Sequence, residues 1–349
     1  MAQPEEGAGV KVLYFHFGKE GGAERFFVNL VTELAGRGVE QRFVIRPGRT
    51  WESQIRACGP VILNNFRNFS LSKQLVRLRV QRLIRRWRPD VIMAAQNRAS
   101  KLIPAGGQAL KLVRLGDYPK TLQRFANCDC LVANTPGIAE HCRALGWERP
   151  LHVITNFPRE VAPVPVRRAD LDTPEDAFLV VGSGRFVGRK GFDTLLRAAA
   201  RLPDAWVWLV GEGGCRAELE ALAGELGILE RTRFTGWVEE PIHYVAAGNA
   251  YVMASRHEPL GNVILEAWRA GVPVVTTRSE GPMWFVEDGR DALMVDIDDD
   301  SAMAGALARI RDDSALAGSL VQAGREKLAA RFSRDVIVEQ YLDLFRGRL

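Results

Sequence analysis

The chain has 349 residues, more than one ordinary hydrophobic core accommodates, so its length favours two domains. A content of 47% hydrophobic and 26% charged residues excludes a disordered polypeptide, and no apolar run approaches the roughly 18 residues of a membrane span. The net charge of +5 is unevenly divided: residues 1–166 hold 25 Lys and Arg against 13 Asp and Glu, while 167–349 hold 22 against 29. The two halves are therefore expected to meet different ligands, an anionic acceptor or membrane surface being attracted to the first.

The polar, acidic start MAQPEEGAGV is unlike a secretory signal. Five scattered cysteines suit a reducing cytoplasm better than a disulfide framework. Cys128 and Cys130 lack a second pair to complete a metal site, which leaves them as buried or incidental thiols.

Lys11 to Phe17 reads as a buried strand. Gly18 to Glu24 follows it, with Gly21 and Gly22 adjacent, and then FFVNLVTELAGRG at helical spacing. A glycine loop between strand and helix is how a Rossmann-type domain admits a phosphate, although a glycine pair alone reads as a tight turn. RFVIR (42–46) continues the strand pattern. Residues 70–88 form the most basic stretch, with Lys73, Arg77, Arg79, Arg82, Arg85, Arg86, Arg88 and no acid. Val76, Val80, Leu83, Ile84 and Trp87 make one apolar stripe on it, so a sheet-covering helix is expected. The arginines suit docking on an anionic bilayer, at about 1 kcal/mol per basic residue.

Strands follow at Asp90–Ala95, 110–118 and 128–135, the last leading into helix 136–146 with Pro at its start and Gly past its end. Ligands of open α/β sheets collect outside strand carboxyl ends, which makes Asn97, Arg98 and Asp117 the candidates of the first half. PREVAPVPVRRADLDTPED (158–176) reads as an interdomain linker.

A second sheet begins at FLVVGSGRF. Gly182, Gly184 and Gly188 are spaced one residue too far for a dinucleotide fingerprint, and no acid ends a second strand about 20 residues on, so nicotinamide binding is rejected. Arg185 and Lys190 lie in this loop. RTRFTGWV (231–238) contains Trp237, and His243 is expected on a helix surface. Tyr251 to Thr277 reads as strand, loop, helix and strand. Glu258 lies in the loop, Gly261 shapes the turn, and Asn262 and Glu266 share one helix face. Asp296, Asp298, Asp299 and Asp300 resemble a metal-binding D-x-D, but their place before a helix favours an N-cap. SRDVIVEQYLDLF (333–345) carries a final helical stripe.

HEPLGNVILE (257–266) resembles the E-x7-E motif of the large bacterial group 1 / family 4 retaining glycosyltransferases, which include lipopolysaccharide-core sugar transferases. GGAE (21–24), GRFVGRKG (184–191) and RLGDY (114–118) extend the resemblance along most of the chain. It implies an α/β fold of the GT-B type, two Rossmann-like doubly wound domains facing a central cleft. The expected boundaries are 1–160 for the acceptor domain, 161–176 for the linker, 177–332 for the donor domain, and 333–349 for a helix returning to the first domain. The implied activity is transfer of a sugar from a UDP- or GDP-linked donor to a saccharide or lipid-linked acceptor, with retention and without metal or other cofactor.

The resemblance also assigns roles. Arg185 and Lys190 neutralise the donor diphosphate, beside Gly184. Glu258 and the Gly261 and Asn262 amides hold the donor sugar. Glu266 takes the ribose hydroxyls, the turn at Trp237 edges the base, and the Gly21 and Gly22 amides face the diphosphate. Asn97, Arg98 and Asp117 become the acceptor side. Many relatives carry a His near Asp117, which is missing here. A nucleotide-sugar 2-epimerase of the same architecture is the alternative, and would convert donor without acceptor. A non-enzymic basic protein bound to membrane or nucleic acid ranks below it, and nucleic acid is not an expected partner.

Overall fold

The computed structural model describes residues 9–19, 21–64 and 71–349, without the side chains of 71–74. The polar start 1–8, Ser70 and the Lys73 side chain lie outside the described residues. The chain forms two compact units: Met1–Asn156 with Arg334–Leu349, and Phe157–Ser333.

The first unit holds seven strands: β1 Lys11–His16, β2 Glu40–Ile45, β3 Val61–Leu63, β4 Val91–Ala94, β5 Leu110–Leu115, β6 Cys130–Ala133 and β7 Leu151–Val153. Their order is β3-β2-β1-β4-β5-β6-β7, and every pairing is parallel. The second unit holds β8 Phe178–Ser183, β9 Ala205–Val210, β10 Thr232–Gly236, β11 Ala250–Met253, β12 Val274–Thr277 and β13 Leu293–Val295. These are also parallel, in the order β10-β9-β8-β11-β12-β13.

Helices cover both faces of such sheets, which is why the strands read as continuous apolar runs rather than alternating ones. In each sheet the first strand has the second on one side and the fourth on the other. The topology therefore reverses direction beside it, and a crevice opens at the strand carboxyl ends.

The basic stretch forms helix Leu71–Trp87. Val76, Val80 and Trp87 are buried in the first core, with Leu83 and Ile84 packed against it. The opposite face exposes Arg77, Arg79, Arg82, Arg85 and Arg86 together with Leu75 and Leu78. No helix among the described residues is long and apolar enough to cross a membrane. Cys128 and Cys130 are buried, and burial pushes both thiols up to about 12.

The span expected as linker, 161–176, groups with the second unit. Arg168 donates to the carbonyls of Glu175, Ala177 and Ala247 and to Asn249 Oδ1, which fastens it there. His243, expected on a helix surface, belongs to the same fastening: its Nδ1 accepts the Val164 N–H and its carbonyl accepts that of Val166. The last helix, Arg334–Phe345, belongs to the first unit, where it buries Ile337, Val338, Tyr341, Leu342, Leu344 and Phe345. Arg37, the C-cap of helix Gly22–Gly36, pairs with Asp335 of that last helix at 2.5 Å.

Candidate active site

The carboxyl edge of the second sheet gathers the chemistry. β8 runs into Gly184 and Arg185, and a short turn over Gly188–Lys190 leads to helix Phe192–Ala200. β11 runs into Arg256, His257 and Glu258, and Gly261 opens helix Asn262–Ala270. Both helices start from a glycine in the left-handed region, Gly191 at φ 63° and Gly261 at φ 96°, and neither has a side-chain cap. The positive end of each helix dipole faces that edge, and in the first helix the Asp193 carboxylate accepts from the amides of Asp193 and Thr194.

Close backbone approach requires the glycines here. A Cβ on Gly191 would lie 1.9 Å from the Ala254 carbonyl oxygen, and one on Gly211 would lie 2.0 Å from that of Gly184. The loops after β8, β9 and β11 are thereby drawn together.

Lys190 Nζ donates to Glu258 Oε2 at 2.5 Å, and each side chain is 16% exposed. A largely buried cation and carboxylate from two loops 68 residues apart are thus in contact at one point. Beneath them Tyr251 is buried, its hydroxyl 2.9 Å from Ser183 Oγ. Burial raises its phenol, and the nearby charges of Glu266 and Glu258 add to that. Of the seven positions expected here, Gly184, Lys190, Glu258, Gly261, Asn262 and Glu266 surround one strand–helix junction. Arg185 stands exposed at the same edge. Trp237 follows β10 at this edge, three strands from β11, with 68% of its surface exposed.

The aspartates that mimic a metal motif are engaged elsewhere. Asp299 caps helix Asp300–Asp312 by accepting the Ala302 N–H. Asp296 pairs with Arg278, Asp298 with Arg256, and Asp300 with Arg201.

Sequence reasoning missed the residues that hold the two loops. Arg256 donates to the Gly188 carbonyl at 2.5 Å and, through its backbone N–H, to that of Arg189 at 2.8 Å. Its guanidinium forks onto both oxygens of Asp193 and reaches Asp298 through Nε. Arg256 thus ties the Lys190 turn to the Glu258 loop. Glu280 performs the second fastening: it accepts the Glu258 N–H at 3.1 Å and lies 2.8 Å from His257 Nδ1. Position two residues before Glu258 was the one available signal for Arg256; nothing local marks Glu280.

In the first unit, Gly21 caps helix Gly22–Gly36 without a side-chain bond. Asn97 and Arg98 follow β4, and Asp117, which accepts the Tyr118 N–H, follows β5. All stand at that sheet's carboxyl edge. Tyr118, next in the chain after Asp117, has its ring edge-on 5.4 Å from that of His141.

The family model described as "Glycosyl transferases group 1" matches residues 165–327, and "Glycosyltransferase Family 4" matches 20–157. The chain is 51% identical to the lipopolysaccharide core biosynthesis glycosyltransferase LpsE of Rhizobium meliloti (strain 1021), over 97% of this chain and 100% of that protein. It is 50% identical to LpsD of the same organism, over 96% and 98%. Among solved structures, Anabaena HepE in complex with UDP-glucose superposes with a TM-score of 0.82 at 21% identity, over 97% of this chain and 99% of that one. With two Rossmann-like units and near-full-length identity to such enzymes, the chain belongs to the group 1 / family 4 glycosyltransferases of the GT-B fold.

Proposed function

We propose that this glycosyltransferase acts in lipopolysaccharide core assembly and transfers a sugar, with retention, from a nucleoside-diphosphate donor to a saccharide or lipid-linked acceptor. Near-full-length identity to LpsE and LpsD supports the pathway. UDP-glucose bound by HepE favours a uridine diphosphate donor over a guanosine one.

The observation that carries the reading is the Lys190–Glu258 contact. Without donor, the cation and the carboxylate satisfy each other. A diphosphate takes Lys190, with Arg185 and the dipole of helix Phe192–Ala200, beside Gly184. Glu258 is then released to accept hydroxyls of the donor sugar, alongside the Gly261 and Asn262 amides. Glu266 accepts from the ribose, and the turn at Trp237 edges the base. Gly21 and Gly22 add amides toward the diphosphate, and Asn97, Arg98 and Asp117 serve the acceptor.

The bond from the anomeric carbon to the diphosphate breaks as the acceptor oxygen bonds to the same face, and the acceptor proton passes to the departing phosphate. Fixed cations at the leaving group stabilise the charge that develops there, so neither an enzymic nucleophile nor a metal is required. Glu258→Ala is expected to lower kcat by about 100-fold or more, the scale of one lost transition-state contact. Steady-state transfer assays check this, and wild-type turnover would contradict the sugar-binding role. The exposed leucines and arginines of helix Leu71–Trp87 are proposed to dock on anionic lipid. Charge reversal at Arg82, Arg85 and Arg86 then abolishes sedimentation with anionic liposomes, and retained sedimentation would remove the docking role.

A further inference from the structure

The carboxyl edge of the first sheet holds three arginines that no described residue pairs with. Arg46 follows β2 directly, Arg49 lies three residues on, and Arg98 follows β4; β1 runs between those strands. None of the three forms an ion pair or side-chain hydrogen bond among the described residues. The Nε atoms of Arg46 and Arg49 are out of contact with solvent and without an acceptor. Arg46 packs its guanidinium over the Phe17 ring, 5.9 Å from its centre. Burial lowers the Arg46 guanidinium, and Arg49 and Arg98 beside it lower it further, so the three charges share one locality.

The neighbouring polar groups do not relieve this charge. Glu24 accepts from Gln96 Nε2 at 2.5 Å and lies 3.9 Å from His16. His16 is completely buried, and neither ring nitrogen has a hydrogen-bond partner. Burial, with the charges of Arg114 and Arg49, drives its pKa down to about 3, which keeps the ring neutral. Arg114 is already held by Asn134 and Asn156.

A buried donor without an acceptor is costly, as at Arg46 and Arg49, and with Arg98 beside them the three cations repel one another. Guanidinium forks match the paired oxygens of a carboxylate or phosphate. Resting on the transferase reading, we infer that Arg46, Arg49 and Arg98 form a subsite for an oxyanion carried by the acceptor, a phosphate ester or the carboxylate of an acidic sugar. The first unit thereby selects acceptors by charge.

The test titrates the full chain with inorganic phosphate, and separately with glucuronate, at saturating UDP so that the donor diphosphate site is filled. At least one of the two anions binds the wild type. Arg46→Gln and Arg49→Gln each weaken that binding at least fivefold, as does Arg98→Gln, whose exposed side chain is replaceable without loss of the fold. Removing two exposed charges of the same unit, Arg346→Gln with Arg348→Gln, leaves it unchanged. Binding of phosphate alone identifies a phosphate ester, and of glucuronate alone an acidic sugar. The inference is overturned if neither anion binds the UDP-saturated enzyme, or if the control weakens binding as much as Arg49→Gln does. UDP affinity equal to wild type in all variants separates this outcome from failure of the donor site, which would show as loss of UDP binding in the wild type itself.

Discussion

At the residue scale, the site depends on a few side chains whose neighbours leave them little choice. Lys190 pairs with Glu258 beside a helix N-terminus, so in the proposed binding mode an arriving diphosphate would compete with that carboxylate. A charge-assisted hydrogen bond contributes about 1.5–3 kcal/mol, and Lys190→Ala should therefore weaken nucleoside-diphosphate binding by about 10- to 100-fold. The motifs that carry these side chains were legible from sequence, since each joins a strand to a helix through a glycine loop. Their mutual contact was not, since it depends on loops 68 residues apart meeting. Gly191 is a second case: its φ of 63° and the carbonyl 1.9 Å from a built Cβ mean that Gly191→Ala must move backbone. A loss of about 2 kcal/mol or more is expected in chemical denaturation.

His16 sets a pH dependence. Its folded pKa of about 3 lies below the ordinary 6.5, so the unfolded chain binds the proton first. Its contribution is constant above pH 6.5 and is lost, at about 1.4 kcal/mol per unit, as the pH falls toward 3. His16→Gln should flatten acid denaturation of the first unit across that window, and an unchanged profile would contradict it.

At the element scale, the strand–loop–helix units around Gly184 and Glu258 were readable because each joins an apolar run to a helical stripe through glycine. The helix Glu52–Cys58 and the strands Val61–Leu63 and Leu151–Val153 went unread: a three-residue strand has no period, and that helix buries only Ile55. Arg256 was invisible for another reason. A loop arginine looks solvated until the backbone carbonyls and carboxylates it joins are known. Because it fixes the Gly188–Lys190 turn against the Glu258 loop, Arg256→Ala should raise the KM for donor and lower kcat together. Arg256→Lys should recover only part, having lost the fork onto Asp193. Unchanged kinetics in both would reduce Arg256 to a surface ion pair.

At the scale of the whole molecule, two cores in one chain follow from length, and their doubly wound topology from alternating strand and helix patterns. The extent of each unit was harder to read. Residues 161–176 carry linker-like Pro and Arg, yet their hydrogen bonds fasten them to the second unit, as with Arg168 on Asn249. The closing helix is joined to the first unit through six buried apolar residues. Burial at about 1.5–3 kcal/mol for each exceeds the whole stability of many domains. Truncation after Ser333 should therefore leave the first unit open to limited proteolysis, with a fragment near 157–333 surviving.

Calorimetric titration of UDP into the wild type, Arg185→Ala and Lys190→Ala tests the donor site most directly. Saturable one-to-one binding by the wild type, weakened at least tenfold in both variants, is the expected result. Equal affinity in all three proteins would mean that these cations do not hold a nucleotide diphosphate.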